Sequence, residues 1–203
     1  MVDVVSHDLF PTKIHEFEYT PTQYAFTNMS EYIESKDQNI PLSQTEDNLH
    51  IMSFFEDFKE HIIKINKNIL KDLGYEFEDI TITNMWGNIL SNDNSIHSPH
   101  THSNNFLSGV YYLRTEGATA PIEFFDPRPQ ASISVPRRLT NNYYNSNKVQ
   151  FDSIQNRGFI FPSWLLHWVM PNYNRRISIS WNIQVNGHYG EPKTLQNAYI
   201  KKE

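Results

Sequence analysis

The sequence contains no cysteine. Disulfide scaffolds, cysteine zinc sites and thiol nucleophiles are excluded together, and any metal must be held by His, Asp or Glu. No apolar run approaches the roughly 18 to 20 residues of a membrane span, and the first residues lack the apolar centre of a signal peptide. The expectation is a cytoplasmic protein with no membrane partner. Basic residues are in deficit, with 17 Lys and Arg against 23 Asp and Glu and a formal charge of −6. That balance argues against a nucleic-acid partner held through phosphates, although net charge leaves room for a small basic pocket. Glycine is scarce, 7 in 203 residues, and there is no repeat, low-complexity tract or interdomain linker. What is present suffices for one domain with a proper core, and an aromatic content of 14% suits β structure and lined pockets.

The apolar pattern changes period once along the chain. A short amphipathic stretch from Tyr24 to Ile33 reads as helix. Ser43 and Glu46 have the spacing of a capping box, and Phe55, Phe58, Ile62, Ile65, Ile69 and Leu73 follow as one stripe of period 3.6. Together they predict a long helix of about eight turns, closed by Gly74 as a left-handed cap and laid against a sheet. Beyond Gly74 the period is two. Strands are expected at Thr81 to Leu90, Leu107 to Leu113, Pro121 to Phe125, Gly158 to Pro162 and Arg176 to Val185. Many short strands after one long helix indicate a mainly β fold, a sandwich or jelly roll with a helical buttress. Residues Pro136 to Asn147 read as an irregular loop of the kind that carries lids and substrate contacts.

Three histidines, His97, His100 and His102, fall within six positions. On an extended segment His100 and His102 point to one side, so both imidazoles can reach one ion; the plainer alternative is a polar turn. His167 stands in the apolar run Phe-Pro-Ser-Trp-Leu-Leu-His, where a lone histidine is more often a satisfied core residue. The run Arg-Ile-Ser-Ile-Ser-Trp-Asn-Ile from Arg176 alternates strictly. Ile177, Ile179, Trp181 and Ile183 share one face, and Arg176, Ser178, Ser180 and Asn182 the other. If the polar face is solvated, nothing further follows. If it lines a pocket, the guanidinium needs a carboxylate or phosphate, because an unpaired buried charge is costly, and Ser178 adds a hydrogen bond from the same side.

These segments, taken in order, resemble the iron(II)- and 2-oxoglutarate-dependent dioxygenase superfamily, and within it a branch of oxygenases found in marine bacteria and their phages. The resemblance is carried by Leu-Phe-Pro-Thr from Leu9, His-Thr-His-Ser-Asn-Asn-Phe-Leu-Ser-Gly-Val-Tyr-Tyr-Leu from His100, and Phe-Phe-Asp-Pro-Arg from Phe124. Phe-Pro-Ser-Trp-Leu-Leu-His from Phe161 and the strand from Arg176 complete it. It implies a double-stranded β-helix (jelly roll, cupin-like) over residues 80–190, behind an N-terminal segment 1–79, in a single domain 1–203. It also implies Fe(II) as metal and 2-oxoglutarate as cosubstrate. His167 falls on the distal iron ligand, Arg176 and Ser178 on the R-x-S anchor of 2-oxoglutarate, and Tyr112 on a further contact to it, with Tyr111 as its outward neighbour. Asn182 shares the anchor's face and is counted with the cosubstrate contacts.

The family's usual first ligands are H-x-D or H-x-E, whereas this sequence has His100-Thr101-His102. Three arrangements stay open: iron on His100, His102 and His167; one histidine of the pair with Asp126 as carboxylate; or a third position left to water or halide. The first is preferred. His97 is a turn residue or a neighbour of the ligands, and Asp126 also reads as turn chemistry before Pro127. The activity implied is hydroxylation of an unidentified small molecule, peptide or nucleotide, with succinate and CO2 as co-products. The rivals are a three-histidine cupin-type dioxygenase without 2-oxoglutarate and a non-catalytic jelly-roll protein of a phage. A phage origin would place the protein in the host cytoplasm, and a homodimer is left open.

Overall fold

The computed structural model describes residues 4–91 and 95–201. The N-terminal part contributes strand β1 (His15–Glu18), helix α1 (Gln23–Glu34), edge strand β2 (Leu42–Gln44) and helix α2 (Glu56–Asp72). Helix α1 starts where Thr22 accepts a hydrogen bond from the Ala25 amide at 3.2 Å, a side-chain N-cap. It buries Ala25, Met29 and Ile33 at four-residue steps. Helix α2 buries Phe58, Ile62 and Ile69. Gly74 ends it with φ +78°: its amide reaches Lys71 O and that of Tyr75 reaches Leu70 O, both at 3.0 Å. This is the left-handed stop that the sequence predicts.

The start of α2 differs from the expectation. Ser43 caps no helix; it lies in β2, donating to Asp37 Oδ1 at 3.1 Å. Glu46 pairs with Lys36 at 2.8 Å. The segment after them is tied to the sheet by Thr45 N to Gly87 O at 3.1 Å and Met85 N to Asp47 O at 2.8 Å. Cross-sheet hydrogen bonds thus outcompete a local cap, and the helix has 17 residues, about five turns in place of eight.

The remaining strands are β3 (Asp79–Leu90), β4 (His97–His100), β5 (Leu107–Thr115), β6 (Ile122–Phe125), β7 (Lys148–Phe151), β8 (Arg157–Pro162), β9 (His167–Val169), β10 (Arg176–Tyr189) and β11 (Ala198–Ile200). One sheet has the order β1-β8-β5-β10-β3-β2, with β11 added on β10, and the second has the order β4-β9-β6-β7. All strand pairs are antiparallel. From β3 onward the chain passes back and forth between the two sheets, which makes the double-stranded β-helix. The five strands expected from alternation are all present. Those not anticipated, β1, β2, β4, β7, β9 and β11, have three or four residues each, too short for a period-two pattern to show.

Two apolar layers hold this arrangement. Helices α1 and α2 cover the outer face of the large sheet, where Trp181, Ile179, Ile177, Tyr111 and Phe58 are buried. Tyr111, expected to point outward, faces this layer and donates to Tyr19 O at 2.9 Å. Between the sheets, Val110, Tyr112, Phe159 and Phe161 meet Ile122 and Phe124. Gly109 lies opposite Trp181, whose ring crosses it so closely that a Cβ there would come within 2.1 Å of Cζ2. Among the described residues no helix is long and apolar enough to cross a membrane.

Candidate active site

A cleft between the sheets is lined in part by Trp86, Tyr112, Phe161 and Trp168, and three of the expected residues converge in it. His100 ends β4 and pairs with His167 at the start of β9, while His102 follows in the turn after β4. One ring nitrogen from each lies within 4.8 Å of one from each of the others. The protein also sets which nitrogen faces inward. His100 Nδ1 meets Ser98 O at 2.7 Å, His167 Nδ1 meets Leu165 O at 2.8 Å, and His102 Nδ1 meets Asn182 Oδ1. A carbonyl oxygen can only accept, so each Nδ1 carries a proton, and Nε2 is the nitrogen left with a lone pair for a metal when the ring is neutral. Asn182 Oδ1 is held in turn by Ser108 Oγ at 2.8 Å, itself 2.8 Å from Ser163 Oγ. Burial lowers the pKa of His102, and lowers that of His167 to about 3, with the neighbouring histidines adding to the effect. Both imidazoles are therefore neutral at neutral pH, the form a metal requires.

The other end of the cleft is built for an anion. Arg176 is 2% exposed and Tyr112 fully buried, the guanidinium lying 5.2 Å from the centre of the phenol ring. One guanidinium amine donates to Ala120 O. The Ala120 amide is fixed by Asn172 Oδ1 at 2.9 Å, so the carbonyl is held in place. Arg176 Nε and the Tyr112 hydroxyl have no partner, and no carboxylate pairs with Arg176 among the described residues. Burial lowers the Arg176 pKa and raises that of Tyr112. Arginine nevertheless stays protonated and the phenol stays a donor. A buried cation beside two unused donors is costly unless an anion joins it. Ser178 lines the same wall. These residues fit both groups implied by the sequence, three imidazoles for a divalent metal and a guanidinium, phenol and hydroxyl for a carboxylate.

Two of the candidate residues have their side chains engaged elsewhere. Asp126 takes no part in the histidine cluster. Both its oxygens form a fork with Arg128, at 2.9 and 2.8 Å, because Asp-Pro-Arg folds back on itself locally. Asn182 does not reach the anion end; its amide oxygen is committed to His102 and Ser108. Three further residues line the cleft, among them His97, which stands beside His100 as one of its two expected readings had it. His97 stacks on His100 with ring centroids 4.5 Å apart, and its pKa falls to about 4 through burial and then through His100, Arg176 and His102. Trp86 tilts against His102 at 5.9 Å, and Asn88 donates to Ser180 Oγ at 3.0 Å. Trp86 and Asn88 lie two apart on β3, beside the polar face of β10. The same alternation that exposed Arg176 and Ser178 would have found them.

Residues 84–182 match the model of the family described as "Putative 2OG-Fe(II) oxygenase". That span runs from β3 to β10 and contains every residue lining the cleft. No curated protein matches the sequence. In structure, the chain is similar to a prolyl-4-hydroxylase from Pseudomonas putida, with TM-score 0.61 and 10% identity over 87% of this chain and 94% of that one. It is also similar to the non-heme alpha ketoglutarate dependent epimerase SnoN from nogalamycin biosynthesis, with TM-score 0.61 and 8% identity over 95% and 92%. A third similar structure is HygX from Streptomyces hygroscopicus with nickel, 2-oxoglutarate and hygromycin B bound, with TM-score 0.55 and 8% identity over 85% and 82%. At such identities the likeness is one of fold.

Proposed function

On the match of residues 84–182 to the 2OG-Fe(II) oxygenase family, we propose that the chain hydroxylates a substrate with iron held by His100, His102 and His167. In this reading 2-oxoglutarate is anchored by Arg176, Ser178 and Tyr112, and residues 1–203 act as one domain whose first 79 residues buttress the β-helix. The observation that carries the proposal is Arg176, a buried guanidinium without a carboxylate, in the same cleft as three oriented imidazoles. A histidine dioxygenase that does without 2-oxoglutarate has no use for that arginine.

Iron(II) and 2-oxoglutarate, when bound, supply the oxidising chemistry, with dioxygen as oxidant and succinate and CO2 as co-products. The chain's share is placement. Ser98 O, Leu165 O and Asn182 Oδ1 keep the three Nε2 lone pairs convergent. Arg176 and Tyr112 offer donors to the distant carboxylate, and Ile122, Val169 and Phe161 close the cleft against water. Three neutral ligands leave the whole charge of a divalent ion uncompensated by the protein, which favours an anionic cosubstrate beside it. Prolyl hydroxylases, an epimerase and an antibiotic-binding protein share the fold, so the substrate must be sought outside the cleft's common parts.

The test is succinate formation from 2-oxoglutarate under air. The wild-type chain should form succinate in an iron-dependent way. Arg176→Ala should raise the 2-oxoglutarate KM by about 10- to 100-fold, the worth of a charge-assisted hydrogen bond. Iron-dependent oxygen uptake without succinate would overturn the proposal.

A further inference from the structure

In a chain with an excess of acids, arginines ought to find carboxylates, and most of the seven do. Arg114 pairs with Glu34, Arg128 with Asp126, Arg157 with Glu16, and Arg175 with Asp37, at 2.7 to 3.0 Å. Among the described residues three arginines have no carboxylate: Arg176, Arg137 and Arg138. The first marks the anion end of the cleft. The other two are adjacent, and they share a second cavity, of about 630 Å³, with Arg128, Tyr144, Val135 and Leu139.

This cavity lies in the connection between β6 and β7, residues 126–147. Those strands pair directly, and a hairpin needs only about two to five residues to join them, so the rest of the connection serves another purpose. Its composition departs from that of the chain. It holds one acid, Asp126, against three arginines, a local charge of +2 in a protein of −6. The segment is ordered by its own asparagines. Asn142 Oδ1 accepts from the amides of Tyr144 and Asn145 at 2.9 and 3.1 Å, and Asn145 Nδ2 donates to Thr140 O at 2.9 Å. Arg138 Nε donates to Asn145 O at 2.6 Å, which orients the guanidinium and leaves its terminal amines free. The connection also starts beside the histidine cluster. Phe124, two residues before Asp126, pairs with His167, and Phe125 N reaches Leu166 O at 3.0 Å.

We propose that this cavity is the substrate's anion subsite: Arg137 and Arg138 take a phosphate or carboxylate, and Tyr144, Val135 and Leu139 take the apolar or aromatic body that bears it. A guanidinium pair supplies planar forks matched to either oxyanion. The substrate is therefore an anionic small molecule, anchored by its charged end while the rest extends toward His167. The proposal rests on the oxygenase reading for the purpose of the anchoring, not for the binding itself.

The experiment titrates the full chain, loaded with Mn(II) and saturated with 2-oxoglutarate under nitrogen so that the Arg176 cleft is filled. The probes are phenyl phosphate, benzoate and uncharged benzyl alcohol. At least one anion should bind ten-fold or more tightly than benzyl alcohol, weaken with added salt, and lose that advantage in Arg137→Ala/Arg138→Ala. Preference for phenyl phosphate assigns a phosphorylated substrate, and preference for benzoate a carboxylic acid. Equal binding of benzyl alcohol, or an anion affinity untouched in a double variant that melts at the wild-type temperature, overturns the subsite. Binding of 2-oxoglutarate to the wild type is measured in the same series. Its absence would sink the oxygenase reading alone, because the probe titration still decides the cavity.

Discussion

The two faces of β10 share one backbone and obey opposite rules. On the helix side, Ile177, Ile179, Trp181 and Ile183 are buried among apolar neighbours, and what matters there is volume. On the cleft side, Arg176, Ser178 and Asn182 are nearly as well shielded and Ser180 less so, and what matters is the partner of each polar atom. One face stores the stability of the fold. The other spends some of it, since a guanidinium and several imidazoles are kept from water there without full compensation.

The sharpest way to separate the faces is a pair of crossed substitutions. His167→Ala should abolish stoichiometric metal binding, measured by metal analysis after dialysis, while leaving the melting temperature of the metal-free chain close to that of the wild type. Trp181→Ala should do the reverse. Removing this buried indole should cost about 3 to 5 kcal/mol in denaturant unfolding, yet the fraction that stays folded should still bind metal. Were both variants to lose metal and stability together, the faces would not be separable.

A finer cut falls on Asn182→Ala. This residue touches no metal; its amide oxygen orients His102, so metal affinity should fall by about 10- to 100-fold, with a far smaller effect on stability than Trp181→Ala. A separate expectation concerns pH. His167 and His97 have folded pKa values pushed down to about 3 and about 4, from an ordinary 6.5. Their neutral forms favour the folded state, so the stability they contribute is complete above pH 6.5. It is lost as pH falls from there toward 4 and 3, because the unfolded chain takes up protons that the native one refuses. Melting of the metal-free chain across this range should show the loss, and His167→Ala should flatten it. An unchanged slope in that variant would place the acid sensitivity elsewhere.

Much of this division is legible in sequence because β10 alternates over a long stretch. Arg176, Ser178 and Asn182 stand out as polar residues on a strand whose other side is Ile, Ile, Trp, Ile. The approach of His100 and His102 to one point follows from their spacing. The role of Asn182 could not be read, because its contact with His102 spans 80 positions and depends on how β4 turns toward β10. Strand β9 was hidden by its length, three residues, although His167 within it was visible. Where a local rule competed with a distant contact, the contact won at Ser43, drawn into an edge strand. At Asp126 the local pairing won, since Arg128 is only two positions away.

The crossing of Gly109 by the indole of Trp181 has a mechanical consequence. Gly109 lines the cleft with bare main chain, and the largest fully buried side chain of the protein lies directly behind it. At that point the wall is one peptide thick. A shift of the indole, whether from warming or from a change in the helices above it, arrives at the floor of the cleft without passing through any intervening side chain. Scaffold and cleft here share a partition, and a change at Trp181 that spares the three histidines still reaches the cleft floor at Gly109.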